Sequence, residues 1–306
     1  MLWPGNKKFA FTVFDDTDSQ TLENGKPVYE LLADLEIRTT KSVWPISGKG
    51  TPSDNGATCD DGEYLHWAQE LQRQGFEIGY HMACSHTSPR EETVRALEQF
   101  AKYFGGYPVT MAGHYFSGEN LYWGDARLSG ANRLLYNLPT LYRNHNKYFG
   151  HVPGHPWFWG DLCKERIKYA RNFCFPDVNT LKACPMMPYH DPARPLVNYW
   201  FASSEGAEVG SFVRKLSEAN QDRLEAEGGA CIMYTHFGLG FYQDGKLNPR
   251  FRSLMERLAQ KNGWFVPVAT LLDYLLAQKT VHTISNRERA RLERKWMWHK
   301  SRSGTA

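Results

Sequence analysis

The chain has 306 residues, 42% of them apolar and 23% charged, with a formal net charge of +3. That length suits one large domain or two ordinary ones, and the composition is that of a soluble globular protein. The charge is too small to argue for nucleic acid as a partner, and no apolar run is long enough for a transmembrane helix. The opening Met1-Leu2-Trp3-Pro4-Gly5-Asn6-Lys7-Lys8 lacks the apolar core and cleavage site of a signal peptide. Six cysteines without Cys-x-x-Cys spacing read as reduced thiols of a cytoplasmic protein.

Strand and helix patterns alternate along the chain. The first strand is expected over 9–14, where Phe9, Phe11 and Val13 alternate with Ala10, Thr12 and Phe14. It ends in Asp15-Asp16. Two carboxylates at the end of a buried strand are costly to desolvate unless something positive lies beside them. A divalent metal held by one acid, with the other free to move protons, accounts for the pair. The plainer alternative is that Asp16 or Asp18 caps the next helix.

A helix is expected over 27–35, a strand over 37–43 closed by Trp44-Pro45, and a helix over 62–74. The strand over 77–80 runs into His81, with His86 shortly before a helix over 89–104. Ser88, Pro89 and Glu91-Glu92 there have the order of a helix start. A strand over 109–112 is followed by His114. The segment 129–195 is rich in Pro, Gly and aromatics and reads as long loops over a barrel mouth, interrupted by a helix over 162–171 and a strand over 173–178. The remaining pattern is strand 198–202, helix 206–227, strand 230–234 leading to His236, helix 249–261, strand 263–267 and helix 269–278. The basic stretch 286–295 reads as a solvated helix or frayed end. The organisation expected is therefore a catalytic barrel over 1–280 and a basic tail over 281–306.

Repeated βα units predict a parallel sheet, and this many of them a closed barrel with its chemistry where strands end. Asp15-Asp16, His81, His114 and His236 all fall at such positions. Singly, a histidine there is more often an ordinary core or surface residue. Together, two imidazoles and a carboxylate make a metal-binding set with positions left open for water and substrate.

These motifs resemble those of the NodB-type polysaccharide deacetylases, metal-dependent carbohydrate esterases with a distorted (β/α)7 barrel. The family's Thr-Phe-Asp-Asp-Gly is similar to Val13-Phe14-Asp15-Asp16-Thr17, its paired-histidine motif to His81 through His86, and its late Leu-x-x-His to Ile232 through His236. The likeness spans about 8–278, and its close resembles 262–275. The resemblance implies Asp15 as general base, Asp16, His81 and His86 as metal ligands, and His236 as general acid. It implies one divalent metal, zinc first, with iron, cobalt or nickel as alternatives. Two departures stand out: His86 is one residue late, and His114-Tyr115-Phe116-Ser117-Gly118 replaces the family's Arg-Pro-Pro-x-Gly. The arginine that orients the base is missing from that motif, which makes His114 an alternative third ligand.

Substrate contacts are expected from Trp44, His151, Trp159, Asp161, His190, Asp191 and Arg194, each with loop packing as the alternative. The function expected is deacetylation of an N-acetylated sugar or glycan precursor in cell-surface polysaccharide metabolism. The rival readings are hydrolysis of a non-sugar amide or ring amide and a metal-free barrel that only binds carbohydrate. The oligomeric state is left open.

Overall fold

The structure is a computed structural model that describes residues 3–139, 141–143 and 145–304. Seven parallel strands close into a ring: β1 (Phe9–Asp15), β2 (Thr40–Val43), β3 (Glu77–Tyr80), β4 (Thr110–Met111), β5 (Tyr169–Phe175), β6 (Tyr199–Glu205) and β7 (Ala230–Thr235). Each pairs with the next, and β7 returns to β1 with Ala10 opposite Ala230 and Asp15 opposite Thr235. All of β1 is buried, as its continuous apolar run requires of a strand covered on both faces. A short strand Gly263–Phe265 also pairs with β1, opposite Phe9–Phe11. It fills the lower part of the edge whose upper part takes β2, so the barrel is distorted at this seam.

The helices follow the strands. The first, α1 (Leu22–Asp34), begins before Pro27 because Thr21 caps it reciprocally with Asn24. The second, α2 (Gly62–Arg73), is capped by Asp61, and α3 spans Arg90–Phe104 without a side-chain cap. Ser88 does not cap α3; its hydroxyl lies 3.1 Å from Cys84 Sγ. The helix expected over 162–171 stops at Arg166, because 169–175 is recruited into the barrel as β5. The expected helix over 206–227 is two, Val209–Lys215 and Glu218–Ala226. The segment 129–195 thus supplies a barrel strand as well as loops.

The C-terminal segment folds back on the barrel. His282–Thr283 pairs with Tyr189–His190, which in turn pairs with β6. A helix Asn286–Ser303 follows, capped by Ser285. Arg289, Glu293 and Trp296 recur at helical spacing and are all buried. Glu293 accepts hydrogen bonds from Ser129, Asn132 and Arg194, so the basic face is solvated while the opposite face is anchored. Among the described residues no helix is long and apolar enough to cross a membrane.

Candidate metal centre at the barrel mouth

The strand ends meet around one carboxylate, Asp18, three residues beyond β1. His81 follows β3 directly, and its Nε2 lies 3.0 Å from Asp18 Oδ2. His114, after β4, places Nε2 2.8 Å from Asp18 Oδ1. His236, after β7, places Nε2 3.2 Å from Asp18 Oδ2. Burial alone would raise the Asp18 pKa, but the charge of His81 and hydrogen bonds with all three imidazoles hold it well below the usual carboxylate range. For His236 burial is likewise outweighed: Asp18, the charge of Asp16 and the Ala207 carbonyl push its pKa up to about 9. Its Nδ1 lies 2.7 Å from that carbonyl oxygen, which fixes the ring.

Asp16 stands beside this basket. Arg171, from the middle of β5, donates to both its oxygens, at 2.8 and 2.5 Å. The guanidinium is itself packed against Tyr234, 4.4 Å from the ring centroid. Such a bidentate pair fixes the carboxylate plane while leaving lone pairs unused. One oxygen of Asp16 lies 3.9 Å from His81 Nε2. Ligand atoms of Asp16, Asp18 and His236 all lie within 4.8 Å of one another.

Asp15, one residue away, is in a different situation. It is fully buried and accepts hydrogen bonds from Gln20 at 3.0 Å, Tyr29 at 2.8 Å and the Phe237 N–H at 2.8 Å. Lys41 Nζ lies 4.0 Å away. Burial raises the Asp15 pKa, and Lys41 with the three donors offsets only part of that. The cavity at the mouth is lined by Asp16 and Asp18 but not by Asp15. Asp18 caps nothing, since Thr21 performs that role.

His86 is not brought to this centre. Its Nε2 lies 3.3 Å from Cys84 Sγ and 3.1 Å from Glu92 Oε2, in a separate buried cluster. Nor do any of the seven residues expected to touch substrate line the cavity. Trp44 is fully buried beneath the centre, with its ring 5.5 Å from His114 and 6.0 Å from His81. Trp159 is buried and donates to the Glu119 carbonyl. His151 packs against Tyr122 with the rings tilted, and its pKa is lowered to about 4 by burial. Asp161 pairs with Arg90, His190 Nδ1 lies 3.1 Å from the Asn198 carbonyl oxygen, and Asp191 pairs with Arg194 and Arg289. These groups hold loops together. The cavity wall is made instead by aromatics that include Tyr115, Phe116, Trp123, Tyr148 and Trp296.

The donor set fits a divalent ion. Two imidazole nitrogens and a carboxylate converge with separations of 2.8–3.0 Å between acid and rings. His81 meets one oxygen of Asp18 and His114 the other, Asp16 and His236 add donors within 4.8 Å of Asp18, and Trp44 packs against both rings. Asp18 and Arg171 were the residues the sequence hid. The alternation of Tyr169, Arg171 and Phe173 with Ala170, Asn172 and Cys174 was the available signal for the second.

No protein-family model matches the sequence, and no curated protein matches it. Solved structures do. A Mycobacterium smegmatis protein assigned as a polysaccharide deacetylase superposes with a TM-score of 0.51 at 14% identity, covering 94% of this chain and 96% of that one. A Pseudomonas aeruginosa PAO1 protein assigned the same activity gives 0.48 at 12% identity, over 90% and 93% of the two chains. PuuE allantoinase gives 0.47 at 11% identity, over 90% and 92%. The fold is therefore the (β/α)7 barrel of the NodB-type polysaccharide deacetylases.

Proposed function

We propose that this protein is a metal-dependent hydrolase that removes the acetyl group from the nitrogen of an N-acetylated sugar or glycan precursor. The observation that carries the reading is the convergence of His81, His114 and His236 on Asp18 beside the Asp16–Arg171 pair. Asp18, His81 and His114 would hold the ion, zinc being the first choice for this donor set. When bound, such an ion polarises the amide carbonyl and acidifies a water molecule.

The remaining steps belong to the chain. Asp16, oriented by Arg171, accepts a proton from the attacking water. His236, with its ring fixed by the Ala207 carbonyl, donates one to the departing amine nitrogen. The water oxygen bonds to the acyl carbon as the C–N bond breaks, giving acetate and a free amine. Asp15 sits behind these groups and anchors the β1 terminus to α1 and the β7 loop. The aromatic wall favours a sugar over a small non-sugar amide, since aromatic faces stack on sugar rings. Six buried, unbridged cysteines suit action in a reducing compartment such as the cytoplasm.

Metal content by mass spectrometry and acetate release from N-acetylglucosamine oligomers test the proposal together. The native protein is expected to carry about one ion at this centre. Asp18→Ala is expected to lose it, with turnover falling at least about a thousandfold, the equivalent of several kcal/mol of transition-state stabilisation. Undiminished metal and turnover in that variant would overturn the assignment.

A further inference from the structure

Four arginines among the described residues are buried: Arg127, Arg171, Arg194 and Arg289. Three of them meet carboxylates, Arg171 on Asp16, Arg194 on Asp191 and Glu293, and Arg289 on Asp191. Arg127 does not. It is 4% exposed, and its Nε and Nη2 are buried without a hydrogen-bond partner among the described residues. No carboxylate is among the groups that bear most on it, which are the neutral Cys174, Tyr136 and Tyr148 and a second cation, Arg171. A buried guanidinium without a counter-charge is an incomplete arrangement.

The surroundings show that the position is built. Arg127 ends a short 3-10 turn, Gly124–Arg127, and its carbonyl accepts a hydrogen bond from Arg194 Nη2 at 2.5 Å. Its guanidinium lies 3.4 Å from the Trp123 ring centroid and 5.4 Å from that of Trp296. Stacking engages the face of the guanidinium and leaves its N–H bonds, which lie in its plane, to find acceptors elsewhere. Arg127, Trp123, Trp296 and Lys300 all line the same cavity of about 510 Å³ that contains Asp16 and Asp18. Lys300 lies one helical turn beyond Trp296, so the C-terminal helix supplies a second cation to that wall. Burial lowers the Arg127 pKa to about 10, which leaves it charged at neutral pH.

We infer that Arg127, assisted by Lys300, is an anion-binding subsite, and that the substrate carries a carboxylate or phosphate bound there while its acyl amide faces Asp18. The second half of this inference rests on the hydrolase reading; the first does not. The cavity then has two recognition elements, an acid–histidine cluster for the amide and a cationic aromatic wall for a negative group. Neutral sugars lack the group that completes Arg127, so they bind less tightly.

The test uses the full chain stripped of metal, so that anions cannot bind an ion at Asp18. Inorganic phosphate and acetate are titrated separately, with binding followed by calorimetry and by the fluorescence of the tryptophans flanking Arg127. Saturable binding of at least one anion is expected, and the tighter one identifies the charged group. Arg127→Met keeps the stacked stem and is expected to weaken that anion at least about tenfold. Lys300→Met should weaken it less, and both variants should take up zinc as the native protein does, which also reports that they are folded. No saturable response, or equal affinity in Arg127→Met, overturns the subsite. Comparing a neutral N-acetylhexosamine with the same sugar bearing the identified group then tests the second half. Preference for the charged sugar, lost through KM in Arg127→Met, supports it; equal KM values overturn it. Anion binding that depends on Arg127, without hydrolysis of either sugar, leaves the subsite standing and removes the deacetylase reading.

Discussion

Asp15 and Asp18 are two acids three residues apart, the first fully buried and the second half-buried at the cavity wall, and their surroundings are opposites. Around Asp15 the protein provides three fixed donors and a nearby ammonium. Around Asp18 it provides three imidazoles, each able to give up its proton or turn a lone pair toward a cation. Burial dominates at Asp15, where the pKa is raised, and loses at Asp18, where it is lowered. A carboxylate completed by its own fold is a structural element. One ringed by imidazole nitrogens at a cavity wall has donor atoms of the kind the proposed metal would take.

The sharpest way to break this comparison is to neutralise the structural acid. Asp15→Asn removes the charge opposite Lys41, whose burial already lowers its pKa to about 8. Urea unfolding is expected to show a loss of about 3 kcal/mol, at the low end for breaking a buried pair because the asparagine oxygen still accepts from the Phe237 N–H while its NH2 donates to the Tyr29 oxygen. Metal per folded chain should be unchanged. Loss of metal without loss of stability would mean that Asp15 belongs to the centre after all.

A smaller effect is expected from Arg171→Lys. Lysine keeps the charge but not the two parallel hydrogen bonds that fix Asp16. The kcat for acetate release should fall about 10–100-fold, about 1.4–2.7 kcal/mol in activation free energy, with metal content and KM nearly unchanged. A fall in metal content instead would make Asp16 a ligand rather than a positioned base.

The sequence disclosed the barrel and the strand-end histidines because those depend on local pattern. The run 9–14 is too apolar to be anything but a covered strand, and His81, His114 and His236 each follow such a run. What it concealed depended on distant contacts. Arg171 looked like the end of a helix because β5 is held by β4 and β6, not by its own propensity. Asp18 looked like a helix cap, and only the fold shows Thr21 in that place. The basic stretch 286–295 hid a buried face because Glu293 finds its partners Ser129 and Arg194 more than ninety residues away. Trp159 and Asp191 looked like substrate contacts because aromatic and charged loop residues serve packing and recognition alike.

The smallest effect on activity is expected from His86→Ala. His86 ends one residue off the spacing of the paired-histidine motif, and in space it leaves the centre altogether. Gly48 and Gly50 clasp its ring so closely that a methyl group at either position would collide with it. The Gly50 N–H lies 3.1 Å from His86 Nε2, while Glu92 also accepts from the Lys49 N–H at 2.9 Å. The ring therefore ties the loop after β2 to the start of α3. Removing it opens a cavity and leaves the Gly50 N–H without its acceptor, at an expected cost of roughly 2 kcal/mol in stability. Because His114 rather than His86 lies 2.8 Å from Asp18, metal content and turnover of the folded His86→Ala protein should stay within about twofold of native; a buried packing change away from the reacting groups has no transition-state interaction to remove. His114→Ala measured beside it should lose the ion, and the reverse pattern would place the third ligand at His86 and require a different arrangement of the loop from 81 to 89.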